Sequence, residues 1–177
     1  RFPDFNKAKK IYLYETSSLL KNLQKKNIKN NNVKWLKNFK DINKGPVIFF
    51  GNEFFDAIPI KQFKKANGFL YEKYYTFDEN KKIEEIFKKA SKQDASIIDS
   101  FKSLKKLNFI EFPKYGFEEL KKIIKKILQL KGCLLLIDYG YLKSENQNTL
   151  QSVIRHKKNH LLNNLGKADI TSHVNFK

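Results

Sequence analysis

Apolar and polar positions alternate between strand-like and helix-like patterns from the start of the chain. Ile11–Glu15 is a short apolar run that ends in an acid, which is typical of a strand. The next three residues, Thr16-Ser17-Ser18, have side chains suited to cap a helix. Leu19, Leu20 and Leu23 then follow at helical spacing, which predicts a helix to about Lys26.

Two later segments repeat this order of elements. Gly45-Pro46 interrupts the chain before Val47–Phe50, which has the composition of a buried strand. After Pro113, the pattern predicts an amphipathic helix with lysines on its opposite face. Gly132 is expected to end this helix as a left-handed cap, and Cys133–Ile137 is expected to be a second buried strand. The apolar residues that define this helix are Phe117, Leu120, Ile123, Ile124, Ile127 and Leu128. Helix-then-strand units of this kind predict a parallel sheet covered on both faces, so the predicted fold class is α/β.

The middle of the chain has a different pattern. Asn67-Gly68 lies between two apolar-rich runs, 60–66 and 69–77, and supplies the positive φ angles of a tight hairpin turn. Residues 81–89 fit a strand or a helix, and residues 91–106 fit a helix or a loop. We therefore predict one domain over residues 1–177, with residues 57–110 forming an insertion that contains the β-hairpin.

Charge and composition limit the classes of function. The net charge is +18 and the pI is near 9.8, which would ordinarily suggest nucleic acid as a partner. All but two of the 36 basic residues are lysines, however, and they are spread over every segment. Because base recognition and phosphate clamps favour arginine, a nucleic-acid surface is disfavoured but stays an alternative.

Other compositional features concern cysteine, metals and membranes. The single cysteine excludes a disulfide framework, and together with only three histidines it leaves no predicted metal centre. No apolar run approaches the roughly 18–20 residues that a membrane span needs. The chain begins at Arg1 and contains no methionine, so we expect it to be a piece of a longer protein.

Candidate chemistry lies at the ends of the predicted strands, where open parallel sheets bind their ligands. Glu15 ends the first strand, a cluster at 52–56 follows the second, and Asp138 with Gly140 follows the third. Buried carboxylates there must be paired or must bind something cationic. The alternative interpretation is that these residues form ordinary surface turns.

Histidine and cysteine offer weaker candidates. Cys133 lies inside an apolar run and is predicted to be a core residue rather than a nucleophile. His156 and His160 are interpreted as surface residues one helical turn apart. His173 lies in the polar segment 169–173 and is a candidate site residue.

Four groups of residues resemble the motifs of a known family. They are Gly51-Asn52-Glu53-Phe54-Phe55-Asp56-Ala57-Ile58-Pro59-Ile60, Ile137-Asp138-Tyr139-Gly140-Tyr141, Thr149-Leu150 with Arg155-His156, and the segment from Gly166 to Phe176 that contains Ala168-Asp169-Ile170-Thr171-Ser172-His173-Val174. Their order and spacing resemble those of the MidA family, which includes a mitochondrial protein-arginine methyltransferase of complex I assembly.

The resemblance implies a Rossmann-like class I methyltransferase that uses S-adenosyl-L-methionine. It places the family's first strand and glycine-rich loop before Arg1. It also implies three sets of site residues. These are Glu53, Asp56 and Asn52 for catalysis; Glu15, Asn52, Asp138, Tyr139 and Gly140 for cofactor binding; and Asp169, Thr171 and His173 for substrate binding.

The resemblance also implies a protein substrate. In the mitochondrial relatives the acceptor is an arginine of a complex I core subunit, and the product is symmetric dimethylarginine. The implied location is the cytoplasm in a bacterium and the mitochondrial matrix in a eukaryote. Besides the nucleic-acid module, a non-catalytic assembly factor that binds a partner subunit remains an alternative.

Overall fold

The computed structural model describes residues 2–30, 32–143 and 145–177, which divide into two compact units. The first unit comprises the chain up to Ile48 together with Lys122–Cys133, and the second comprises Phe49–Lys121 and Leu134–Lys177. In the described part of the chain, no helix is both long enough and apolar enough to cross a membrane.

The first unit is built on a pair of parallel strands. Its elements are α1 (Pro3–Ala8), β1 (Ile11–Tyr14), α2 (Ser18–Asn27), β2 (Val33–Leu36) and a short 3-10 turn (Phe39–Asp41). Strands β1 and β2 pair in parallel, with Ile11 opposite Val33. The Ser17 hydroxyl accepts a hydrogen bond from the amide of Leu20 at 3.3 Å, so the predicted strand, cap and helix are confirmed.

In the second unit, an antiparallel sheet packs against a short helix. Strands β4 (Lys61–Ala66), β5 (Phe69–Phe77), β6 (Ile83–Lys89) and β7 (Phe109–Phe112) form it in the order β6-β5-β4-β7, and α3 (Lys92–Ser100) with a 3-10 turn (Lys102–Leu104) follows β6. Asn67 and Gly68 both have positive φ, so the predicted hairpin is confirmed. The buried core of this unit consists of Phe63, Ile98, Leu104, Leu107, Ile110 and Phe112.

The remaining elements include β3 and β8, the two strands that the candidate residues at 52–56 and 138–140 follow. They are β3 (Ile48–Asn52), α4 (Lys114–Leu130), β8 (Cys133–Ile137), β9 (Gly140–Tyr141), β10 (Gln151–Ile154), β11 (Lys157–Asn159), β12 (Asp169–Thr171) and β13 (Val174–Asn175). Strands β3 and β8 pair with each other, β9 pairs in parallel with β13, and β10 pairs antiparallel with β11 and β12. The predicted α/β class is confirmed, while the predicted domain boundaries stay a prediction.

Both predicted buried strands have one exposed face, which corrects the expectation of a sheet covered on both sides. In β8, Leu135 is 53% exposed and Ile137 is 51% exposed, and in β3 the side chain of Phe50 is 65% exposed. Successive side chains of a strand point to opposite faces, and the described residues cover only one face of each strand. Cys133 lies on the exposed face of β8, so the prediction that it is a core residue was wrong.

Helix α4 differs from its predicted pattern on both faces. Lys126 is buried, and its Nζ donates to the carbonyl oxygen of Ile42 at 2.6 Å, which satisfies the ammonium group away from water. Ile124 and Leu128 are exposed. Periodicity predicts that a helix is amphipathic, but the neighbouring elements decide which residues are covered.

The end of α4 also differs from the prediction. Lys131, with φ of 54°, is the residue in the left-handed conformation, and Gly132 is not. A Cβ on Gly132 would lie 2.1 Å from the carbonyl oxygen of Val47. Glycine is therefore required here for the close approach of another backbone segment rather than for a positive φ angle.

His156 and His160 are not on a helix. Arg155 and His156 form the turn between β10 and β11, both with positive φ, and His160 follows β11. The expected helical spacing was wrong because the segment pairs as a hairpin. Both histidines are exposed, as predicted.

Candidate functional site

The acidic loop at 53–56 is attached to the end of strand β8. Glu53 follows β3 with φ of 51°, and its amide donates to the carbonyl oxygen of Ile137 at 2.8 Å. One carboxylate oxygen of Asp138, Oδ1, accepts from the amides of Phe55 at 3.0 Å and Asp56 at 3.2 Å. A carboxylate that accepts two backbone amides holds the loop in one conformation. The structure therefore brings together two of the three predicted strand ends.

Asp56 and Asp138 each have one buried carboxylate oxygen. Asp56 is 5% exposed, and neither Asp56 Oδ1 nor Asp138 Oδ2 has a hydrogen-bond partner among the described residues. Burial raises the pKa of Asp56, and the negative charges of Asp138 and Glu53 raise it further; the amide of Ala57 and the charge of His173 lower it without outweighing these effects. The neutral form of Asp56, which avoids repulsion from Asp138, therefore persists to a higher pH than in an ordinary aspartate.

Replacing Asp56 by asparagine tests whether the pKa of Asp56 is raised. Because its pKa is raised, the contribution of Asp56 to stability is fully present below the ordinary value of 3.8 and declines as the pH rises through the raised pKa. Asp56→Asn removes that decline, so we expect its free energy of unfolding at pH 7 to be within about 1 kcal/mol of wild type or higher. Urea unfolding monitored by circular dichroism at several pH values measures it.

Asp138→Asn is the matched control. It removes the charged acceptor of two amides, and we expect a loss of about 2 kcal/mol at pH 7. A larger loss for Asp56→Asn than for Asp138→Asn would contradict the raised pKa of Asp56.

The segment with Asp169, Thr171 and His173 reaches the same loop through its backbone. The amide of Ser172 donates to the carbonyl oxygen of Asp56 at 2.9 Å, and His173 is close enough for its charge to affect Asp56. Thr171 ends β12, where its Oγ1 accepts from Gln151 Nε2 at 3.2 Å. Asp169 begins β12 and is exposed, pairing with Val153 of β10.

Gly140 has a packing role in the second unit. It pairs with Val174, and a Cβ on Gly140 would lie 2.2 Å from the carbonyl oxygen of Val174. Any larger residue would separate β9 from β13, so glycine allows β13 to lie beside the loop after β8. Tyr139 is 62% exposed, and Asn52 and Glu53 are also exposed.

Glu15 belongs to the first unit. Its carboxylate accepts from the amide of Ser17 at 2.8 Å and from Gln24 Nε2 at 3.4 Å, and Gln24 Oε1 accepts from Trp35 Nε1 at 2.8 Å. These contacts orient the carboxylate at the carboxyl end of β1. Because each oxygen accepts one bond, lone pairs remain for the two hydroxyls of a ribose.

A cavity of about 270 Å³ lies next to the acidic loop. Its walls are largely aromatic and aliphatic, and the polar groups on it include Asp138, Glu111 and His173. The apolar lining includes Phe55, Phe112, Phe117, Leu136, Tyr141 and Val174. Among the residues that the structure describes, no group of three or more histidine, cysteine or acidic side chains is arranged to hold a metal ion.

The sequence analysis missed two residues that shape this site. Glu111 lies between buried Ile110 and Phe112, and an acid in such an apolar strand was the available signal. Thr149 belongs to one of the motifs that carry the family resemblance, but the residues around it in the sequence do not indicate a contact with β7.

Comparison with known proteins agrees with this architecture. A crystal structure described as that of a "likely methyl transferase" from Burkholderia thailandensis bound to S-adenosyl-homocysteine superimposes with a TM-score of 0.74 at 18% identity, over 94% of this chain and 46% of that one. A relative named "Protein arginine methyltransferase NDUFAF7 homolog, mitochondrial", from Caenorhabditis elegans, is 30% identical over 82% of this chain and 34% of its own length. The Xenopus tropicalis protein arginine methyltransferase NDUFAF7 is 25% identical over 80% of this chain and 33% of its own length.

The fold is that of a Rossmann-like α/β protein of the class I methyltransferase type. A family profile described as "Putative S-adenosyl-L-methionine-dependent methyltransferase" matches residues 1–177, and the chain belongs to that family. The chain spans about a third of the length of the curated relatives that it matches.

Proposed function

We propose that the protein carrying this chain is an S-adenosyl-L-methionine-dependent methyltransferase that methylates arginine in a protein substrate to symmetric dimethylarginine. The observation that carries the proposal is the acidic loop fixed by Asp138 at the end of parallel strands. Relatives at 23–30% identity that are named protein arginine methyltransferases support the choice of arginine.

Glu15 fits the cofactor because its oriented carboxylate can accept both ribose hydroxyls. Asn52, Tyr139 and the backbone at Gly140 are the further groups that we assign to the cofactor. S-adenosyl-L-methionine supplies an electrophilic methyl group on a sulfonium when it is bound.

Glu53 and Asn52 are the exposed groups that we assign to contact the reacting guanidinium. A guanidinium is a poor nucleophile while its charge is delocalised over three nitrogens. A carboxylate that binds two of its N–H groups draws the positive charge toward itself and leaves more electron density on the attacking nitrogen. Glu53 has a positive φ of 51°, which sets the direction in which its side chain leaves the loop.

Asp56 has a different role in the proposal. Its burial keeps its carboxyl group from contacting a guanidinium directly, so we assign Asp56 to anchoring the loop through its backbone, whose amide donates to Asp138 and whose carbonyl oxygen accepts from Ser172. Asp169, Thr171 and His173 are proposed to contact the protein substrate around the acceptor arginine.

The protein substrate and its location are proposed from the names of relatives that are 25–30% identical to this chain. In a host with mitochondria, we propose the matrix as the location and a complex I core subunit as the acceptor, because the relatives are named mitochondrial. Immunoprecipitated complex I subunits from cells lacking the protein would then have lost a symmetric dimethylarginine. Unchanged methylation of all core subunits would overturn this link.

A radiolabel assay tests the reaction. The intact protein is incubated with methyl-tritiated S-adenosyl-L-methionine and an arginine-containing acceptor, and the hydrolysate is chromatographed against methylarginine standards. We expect label in symmetric dimethylarginine, and none when the acceptor arginine is replaced by lysine. Label on lysine, or no label with any protein acceptor from the host, would contradict the proposal.

A further inference from the structure

The carboxylate of Glu111 is the centre of a hydrogen-bond network between β7 and the loop before β10. Its Oε1 accepts from Gln62 Nε2 at 2.8 Å and from the amides of Thr149 at 3.0 Å and Leu150 at 3.2 Å. Its Oε2 accepts from the hydroxyl of Thr149. Four donors on one carboxylate leave it little freedom to move.

Two further contacts attach the same loop to the antiparallel sheet. Buried Gln62 also donates to Asn148 Oδ1 at 2.8 Å, so one amide group of β4 binds both Glu111 and the loop. Asn146 Oδ1 accepts from the amides of Asn108 at 2.7 Å and Phe109 at 3.1 Å, where β7 begins. The position of the loop is therefore set by the sheet.

Thr149 extends the network to the segment that we assign to the substrate. Its Oγ1 donates to Glu111 and accepts from the amide of His173 at 2.9 Å. The preceding amide, of Ser172, donates to the carbonyl oxygen of Asp56. A continuous series of hydrogen bonds thus runs from Glu111 through Thr149 to the turn at 172–173 and on to the acidic loop.

We propose that Glu111 and Thr149 are positioning residues that hold the 172–173 turn against the acidic loop, so that the antiparallel sheet sets where the acceptor substrate binds. This inference rests on the proposed function for its substrate, but the network itself does not depend on it. Glu111 also faces the cavity beside the turn. The burial of Tyr141 raises the pKa of its hydroxyl, and the negative charge of Glu111 raises that pKa further.

Thr149 offers a matched pair of substitutions. Thr149→Val keeps the shape of the side chain but removes the hydroxyl. The hydrogen bond from the hydroxyl to Glu111 Oε2 and the acceptor for the amide of His173 are therefore both lost, while the amide of residue 149 still donates to Glu111 Oε1. Thr149→Ser keeps the hydroxyl. Thr76→Val, on β5 and outside this network, controls for the loss of a half-buried threonine hydroxyl.

Two readouts on the intact protein test the inference. In Thr149→Val, amide hydrogen exchange at His173 should accelerate about tenfold, which corresponds to one lost hydrogen bond. The KM for the acceptor should rise about tenfold while the Kd for S-adenosyl-L-methionine changes less than twofold. Thr149→Ser and Thr76→Val should both stay within about threefold of wild type.

The outcomes separate the network from the function. Unchanged exchange at His173 in Thr149→Val would overturn the positioning role whatever the kinetics show. A tenfold loss of cofactor affinity with an unchanged acceptor KM would also overturn it. If the wild-type protein transfers no methyl group, the proposed function fails and the substrate part of the inference fails with it, while the exchange result still decides whether Thr149 holds the turn.

Discussion

Replacing Glu53 by glutamine is expected to lower the kcat of methyl transfer by about 100-fold or more. Glutamine keeps the size of the side chain but cannot localise the positive charge of a guanidinium. Because the loop is held through backbone amides, it should keep its conformation in the variant. Single-turnover kinetics with saturating cofactor and acceptor measure the chemical step directly.

A matched control separates this effect from a general loss of charge. Glu118 is an exposed glutamate of α4, and Glu118→Gln should leave kcat within about twofold of wild type. The Kd for S-adenosyl-L-methionine should stay within about threefold in both variants. Near-normal turnover in Glu53→Gln would contradict the role assigned to Glu53.

Replacing Asp94 by asparagine is expected to lower the free energy of unfolding by about 3 kcal/mol at pH 7. Asp94 is 2% exposed and pairs with Lys61 and Lys114, each at 2.8 Å. Lys61 also pairs with Glu72 at 2.9 Å, so the cluster joins α3, β4, β5 and the start of α4. The variant leaves Lys114 without this acidic partner. Urea unfolding at pH 7 measures the loss.

The same cluster predicts a dependence on pH. Burial alone would raise the pKa of Asp94, but hydrogen bonds from Lys114 and Lys61 outweigh it and lower the pKa from 3.8 to about 2. A lowered pKa stabilises the fold above the ordinary value, and this contribution of about 2 kcal/mol is lost as the pH falls from about 4 to about 2. Asp94→Asn should lack this part of the acid-induced loss.

Glu85→Gln provides the comparison for an ion pair whose carboxylate is exposed. Glu85 is 44% exposed where it pairs with Lys73, whose side chain is 7% exposed, and because water screens the carboxylate we expect a loss of about 1 kcal/mol or less. An equal loss of stability in Glu85→Gln and Asp94→Asn at pH 7 would contradict the special contribution of the Asp94 cluster.

Local patterns predicted most of the elements. The cap at Ser17 and the turn at Asn67-Gly68 are decided by residues within four positions of each other, so a sequence is sufficient to identify them. The acids after β3 and β8 were identified as site residues for a similar reason, because each directly follows an apolar strand. The structure then brings Glu53, Asp56 and Asp138 together.

Features that depend on distant partners could not be predicted. Glu111 and Thr149 are 38 positions apart, and no pattern in either segment indicates their contact. Gly132 is required by the approach of Val47, which is 85 positions away. The exposed faces of β3 and β8 and the buried Lys126 likewise depend on which elements pack nearby rather than on periodicity.

Calorimetric titration of S-adenosyl-L-methionine into the intact protein tests the central claim most directly. We predict saturable binding of one molecule per chain, weakened at least about tenfold by Glu15→Ala, because a hydrogen-bonded carboxylate contributes about that much. Glu53→Gln should bind as wild type does. An intact wild-type protein that binds no S-adenosyl-L-methionine would contradict the assignment of this chain to a working methyltransferase.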